Sequence, residues 1–76
     1  MRRYGVMYFK LLRTVYGSLR GPDAYGSSDN LINLVRNAAG RCAIENYKKA
    51  IIWDRKTDKV QYILKRTQGA ISIEAP

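Results

Sequence analysis

The side chains of this chain with the most to offer chemically are cations and aromatic rings. Phosphate oxygens attract Lys and Arg, and nucleobases stack on aromatic faces. The sequence interleaves the two types. Arg2, Arg3, Tyr4, Tyr8 and Lys10 lie together near its start, and Lys48, Lys59 and Lys65 lie further on with Arg55 and Lys56 between them. Fourteen Lys and Arg stand against six Asp and Glu, a net charge of +8 on 76 residues. Solubility needs less charge than that. The excess points to a polyanionic partner, DNA or RNA first, with an acidic protein or an anionic membrane surface as other destinations.

Groups suited to catalysis are scarce. The chain has no His, which removes the commonest general base and transition-metal ligand. Cys42 has no second thiol with which to hold zinc and no evident base to activate it, and it reads as a small buried apolar residue. Asp23, Asp29, Glu45, Asp54, Asp58 and Glu74 are scattered, and the one close pair, Asp54 and Asp58, is interleaved with Arg55, Lys56 and Lys59. Calcium requires about six to eight oxygen ligands, so turn stabilisation and charge pairing explain that pair better. Gly17, Gly21 and Gly26 lack the spacing of a phosphate-binding loop. The expectation is a binding protein with no cofactor and no metal, not an enzyme.

The cations need elements to hold them, and the clearest is a hairpin over Tyr47 to Arg66. Tyr47, Lys49, Ile51 and Trp53 alternate with Lys48, Ala50, Ile52 and Asp54 in a run rich in β-branched and aromatic types. Arg55-Lys56-Thr57-Asp58 is a polar connection of ordinary hairpin length. If Asp54 pairs with Lys59, Trp53 faces Val60, Ile51 faces Tyr62 and Lys49 faces Leu64, and this set forms the expected core face. Lys48, Ile52, Gln61, Ile63 and Lys65 then occupy the other face, and a slip of one residue exchanges the two sets.

Upstream, Arg3 to Tyr16 reads as a strand region with Met7, Phe9 and Leu11 on one side and Tyr4, Val6, Tyr8 and Lys10 on the other. A bulge or bend near Leu11-Leu12 is expected where the alternation loses phase. Gly17 to Ser28 reads as a loop with a turn at Gly21-Pro22-Asp23. Ser28 to Ala39 reads as one helix, capped by Ser27 or Ser28, with Asp29 in its first turn and Gly40 as its stop. Leu31, Leu34, Val35 and Ala38 make its apolar stripe. After Thr67-Gln68-Gly69, Ala70 to Ile73 alternates like an edge strand.

The expected fold is a single α+β domain over residues 1–76. It has a small antiparallel sheet of three to four strands in the order β-α-β-β, with one helix on one face and the helix stripe on the Trp53 side of the hairpin. Such a chain buries only about 60–65% of its unfolded surface, so its core is thin and its sheet edges invite a partner or a homodimer. The first expectation for function is electrostatic, weakly sequence-selective nucleic-acid binding. The second is a protein-binding module or inhibitor acting through a sheet face or edge, of the kind phages encode as accessory proteins or as inhibitors of host defence systems. No apolar run approaches the roughly 20 residues of a membrane span. Lys10 and Arg13 interrupt any signal-peptide core, and one Cys excludes a disulfide framework, so the expected location is cytoplasmic, in the host cell if the source is viral.

Overall fold

In the computed structural model, residues 2–10 and 22–76 are described. Their elements in chain order are β1 (Tyr4–Phe9), β2 (Ala24–Ser28), α1 (Leu31–Ile44), β3 (Lys49–Asp54), β4 (Lys59–Thr67) and β5 (Ala70–Glu74). The strands form one five-stranded antiparallel sheet in the order β2-β1-β3-β4-β5. The broad α+β reading stands, and the expected three to four strands become five.

The additional strand is β2. AYGSS has no β-branched residue and reads as loop, yet it pairs along β1 from Tyr4↔Ser28 to Tyr8↔Ala24. Tertiary pairing supplies what local propensity lacks. The bulge expected at Leu11-Leu12 and the end of the first strand region at Tyr16 lie outside the described residues. At the other edge, β4 and β5 are joined by a two-residue turn in which Gln68 (φ 50°) and Gly69 (φ 81°) are both left-handed. That is the backbone of the tight turn whose twist suits a hairpin.

The helix starts three residues later than expected and ends five residues later. Asn30, not Ser27 or Ser28, is the cap, its side chain accepting from Asn33 N at 3.1 Å. Ser28 Oγ accepts from Asn30 N at 3.0 Å, and Asp29 precedes the helix, taking the Arg3 backbone N–H at 2.9 Å. Gly40 does not stop the helix. It points to open space, so its cost there is only conformational, and the buried row Leu34, Ala38, Cys42 runs past it. The helix ends at Glu45, whose N–H reaches Arg41 O at 2.8 Å, and Asn46 takes the left-handed position (φ 61°) that Gly often fills.

The helix covers the opposite face of the hairpin from the one expected. Asp54↔Lys59 and Trp53↔Val60 pair as the alternation implies, but a bulge follows, leaving Gln61 without a partner. The ladder resumes as Ile52↔Tyr62, Ile51↔Ile63, Ala50↔Leu64 and Lys49↔Lys65. Leu34, Ala38 and Cys42 therefore share a core with Val6, Tyr8, Tyr47, Ala50, Ile52 and Leu64, flanked by Leu31, Val35 and Tyr62. Trp53, Ile51 and Lys49 lie on the far side of the sheet with Met7 and Phe9. Among the described residues no helix is long and apolar enough to cross a membrane.

Candidate nucleic-acid interface

Paired residues in an antiparallel ladder point the same way, so the register defines the sheet face away from the helix. One rung across it is Ser27, Gly5, Trp53 and Val60. The next is Tyr25, Met7, Ile51, Ile63 and Glu74, and a third is Phe9, Lys49, Lys65 and Ser72. Met7, Phe9, Ile51, Trp53 and Ile63 are half-buried, and Tyr25 is 65% exposed. This face is thus an apolar and aromatic strip bordered by lysines.

Gly5 sets the position of Trp53. A Cβ at residue 5 would stand 2.6 Å from Trp53 Cζ2 and 2.7 Å from Cη2, so the indole lies directly over the glycine. Arg55 shares that hollow, its Nε 3.0 Å from the same point and its guanidinium carbon 5.6 Å from the indole centroid. The ring, the bare backbone beneath it and the cation beside it make one unit.

At this end of the sheet the start of β1 is tied to the hairpin tip. Arg55 N donates to Arg3 O at 2.8 Å. Arg3 Nη2 donates to Asp54 Oδ2 at 3.0 Å, and Lys56 N donates to Asp54 Oδ1 at 2.9 Å. Asp54 closes the core on the helix side, its side chain only 5% exposed. The hydrogen bond from Arg3 holds its carboxyl below the usual aspartate value, and the Lys56 amide adds to this against the opposing effect of burial. The same bond raises the Arg3 guanidinium. These ties gather Arg2, Arg3, Arg55 and Lys56 around a shallow cleft of about 330 Å³.

The ten residues expected to meet nucleic acid are therefore divided. Arg2, Arg3, Arg55 and Lys56 come together, and Lys65 sits on the open face, 3.2 Å from Glu74. Lys59 is exposed opposite Asp54, towards the helix side, and Lys10 is exposed just past the end of β1. Lys48 is half-buried at the far end, its N–H on Phe9 O at 2.9 Å. Tyr4 is half-buried on the helix side, with the Arg3 guanidinium 5.2 Å from its ring.

Tyr8 belongs to the core. It is 1% exposed, its ring centroid is 5.1 Å from that of Tyr47, and the Arg41 guanidinium stands over it at 4.4 Å. Burial pushes its phenol above the usual value despite Arg41, and no base can reach its face without displacing α1. Cys42 is likewise buried, which raises its thiol and leaves it inert. Among the described residues no three Cys, Asp or Glu side chains converge as a metal site would require.

Sequence reasoning missed Trp53, Phe9, Tyr25 and Lys49 as surface groups. Lys49 held the available signal. A lysine two positions from Ile51 and four from Trp53 marks their shared face as one that meets solvent. Compared with family models, curated proteins and solved structures, the chain shows no significant match to any.

Proposed function

We propose that this chain binds single-stranded nucleic acid across the open sheet face, largely through its charge and with little sequence selectivity. The observation that carries this reading is the coincidence of rings and cations on the sheet face that the helix does not cover. Trp53, Phe9 and Tyr25 offer faces to bases, while Lys49, Lys65, Arg55, Lys56 and Arg2 border them. The strip from β2 to β4 crosses three strand spacings, about 14 Å, room for a short run of bases. A duplex keeps its bases stacked on one another and presents phosphates alone, so it gains only the ionic part of the interaction.

Titrating the chain with a short oligothymidylate and following Trp53 emission tests the proposal. Quenching should saturate, and five phosphate contacts should give a log–log salt slope of about −3 to −4 on single strands. Trp53→Ala should weaken single-strand binding by about 1–3 kcal/mol with little change on duplex. Absence of any affinity for single strands at low salt would remove the proposal. A second reading, an acidic protein partner, is favoured by the net charge of +8 together with the apolar groups exposed at Ile73 on the edge strand β5 and at Ile44. Capture of one acidic protein from source lysate, unaffected by nuclease, would support it.

A further inference from the structure

Among the described residues, three of the four cations around the cleft, Arg2, Arg55 and Lys56, form no ion pair. Among the described residues two carboxylates are bonded to this group: Asp29 accepts from the Arg3 backbone N–H, and the Asp54 oxygens already accept from the Arg3 side chain and the Lys56 backbone amide. Among the described residues the remaining ion pairs are Arg41 with Glu45 and Lys65 with Glu74, both elsewhere. The side chains of Arg2, Arg55 and Lys56 thus line one cleft without an ion pair among the described residues. They are held there by structure: Arg2 Nη1 donates to Ser27 O at 3.1 Å, Arg55 is pinned beside Trp53, and Lys56 follows the Asp54 turn. Like charges held together repel, and an anion relieves that repulsion.

We infer that this cleft holds a terminal phosphate, a phosphomonoester whose attached nucleoside lies against Trp53. The inference rests on the single-strand reading of the adjoining face. A phosphodiester within a strand brings one charge and two free oxygens. A terminal phosphate brings nearly two charges and three acceptor oxygens, the better match to a cleft lined by Arg2, Arg55 and Lys56. Two guanidinium forks suit bidentate contact with such a group, and the cleft volume of about 330 Å³ is at the small end of ligand-sized pockets. Arg55 belongs both to the cleft lining and to the Trp53 unit, so phosphate and base are recognised side by side. The same chemistry is carried by the end of a strand and by a free nucleotide.

Titrations with hexathymidylate bearing hydroxyl ends, a 5′-phosphate or a 3′-phosphate, and with thymidine 5′-monophosphate, separate these sources. One phosphorylated end should bind about tenfold tighter than hydroxyl ends. Arg2→Gln and Lys56→Gln, both of which leave the Arg3–Asp54 bridge in place, should each reduce that advantage. Lys65→Gln should weaken all the hexamers and preserve the advantage. Equal affinity for phosphorylated and hydroxyl ends, or an advantage unchanged in both cleft variants, would overturn the inference while leaving the sheet-face reading standing. Thymidine monophosphate bound in a manner sensitive to Arg2 and Lys56, with no strand bound at all, would support the cleft and overturn the sheet-face reading.

Discussion

Replacing Gly5 by alanine adds one carbon at a place the indole already occupies. The new Cβ would lie 2.6 Å from Trp53 Cζ2 and 2.7 Å from Cη2. Carbons settle at about 3.5–4.0 Å, so the ring must retreat by about 1 Å. Overfilling of this kind costs about 1–3 kcal/mol, and because Trp53 is only half-buried the cost should fall in the lower half of that range. Working against it, Gly→Ala in an unstrained strand restricts the unfolded chain and stabilises by about 0.4–1 kcal/mol. In the native background the clash should win, with a net loss of about 1 kcal/mol and a Tm lower by about 4–8 °C. With Trp53→Ala already present, the same substitution should be neutral or stabilising. Thermal melts followed by circular dichroism on the four combinations measure this, and tryptophan emission reports whether the ring has moved. A Gly5→Ala cost that persists undiminished without the indole would refute the reasoning.

Ile52→Ala should cost about 2–5 kcal/mol in urea denaturation, because Ile52 is fully buried, and Trp53→Ala should cost less because its ring is half-buried on the open face. Gly40→Ala should stabilise by about 0.5–1 kcal/mol, since a Cβ there meets nothing and the helix gains propensity. The carboxyl of Asp54 is depressed by Arg3 when folded, so its contribution to stability is present above the ordinary aspartate value of about 4 and lost as pH falls through the lower folded value. Stability measured from neutral to strongly acid pH should therefore decline less steeply in Asp54→Asn, which starts from a lower plateau.

The parts of the fold legible in the sequence are those fixed by short-range chemistry. The hairpin closes where the polar stretch Arg55–Asp58 says it should, and its first two pairs follow the alternation. What alternation could not supply was the face. Ala50 and Ile52 are as apolar as Ile51 and Trp53, so either set could lie under the helix, and the bulge at Gln61 changes the pairing beyond it. The choice becomes visible only with β1, where Val6 and Tyr8 enter the core and Gly5 opens a hollow on the other side for the indole. The helix end was misplaced for a similar reason. Gly40 is a stop signal locally, but Cys42 continues the buried row. The cation cluster was half legible: Arg55 and Lys56 were placed at a tip, but Arg2 and Arg3 join them through pairing across fifty residues of chain, Tyr4 with Asp54.

That pairing also bears on the order of assembly. β3, β4 and β5 follow one another through tight connections and can zip together with little loss of chain entropy. β1 sits between β2 and β3, and its contacts with β3 join residues from forty apart, Phe9 with Lys49, to fifty apart, Tyr4 with Asp54. Closing so long a loop is slow, and contacts of that span lower folding rates. A ribosome thus releases this interior strand well before β3, and the strand waits for β3 before it has a neighbour on that side. Until then Val6, Met7, Tyr8 and Phe9 can pair only with β2 and keep one edge of an apolar strand open, a stretch a chaperone would recognise.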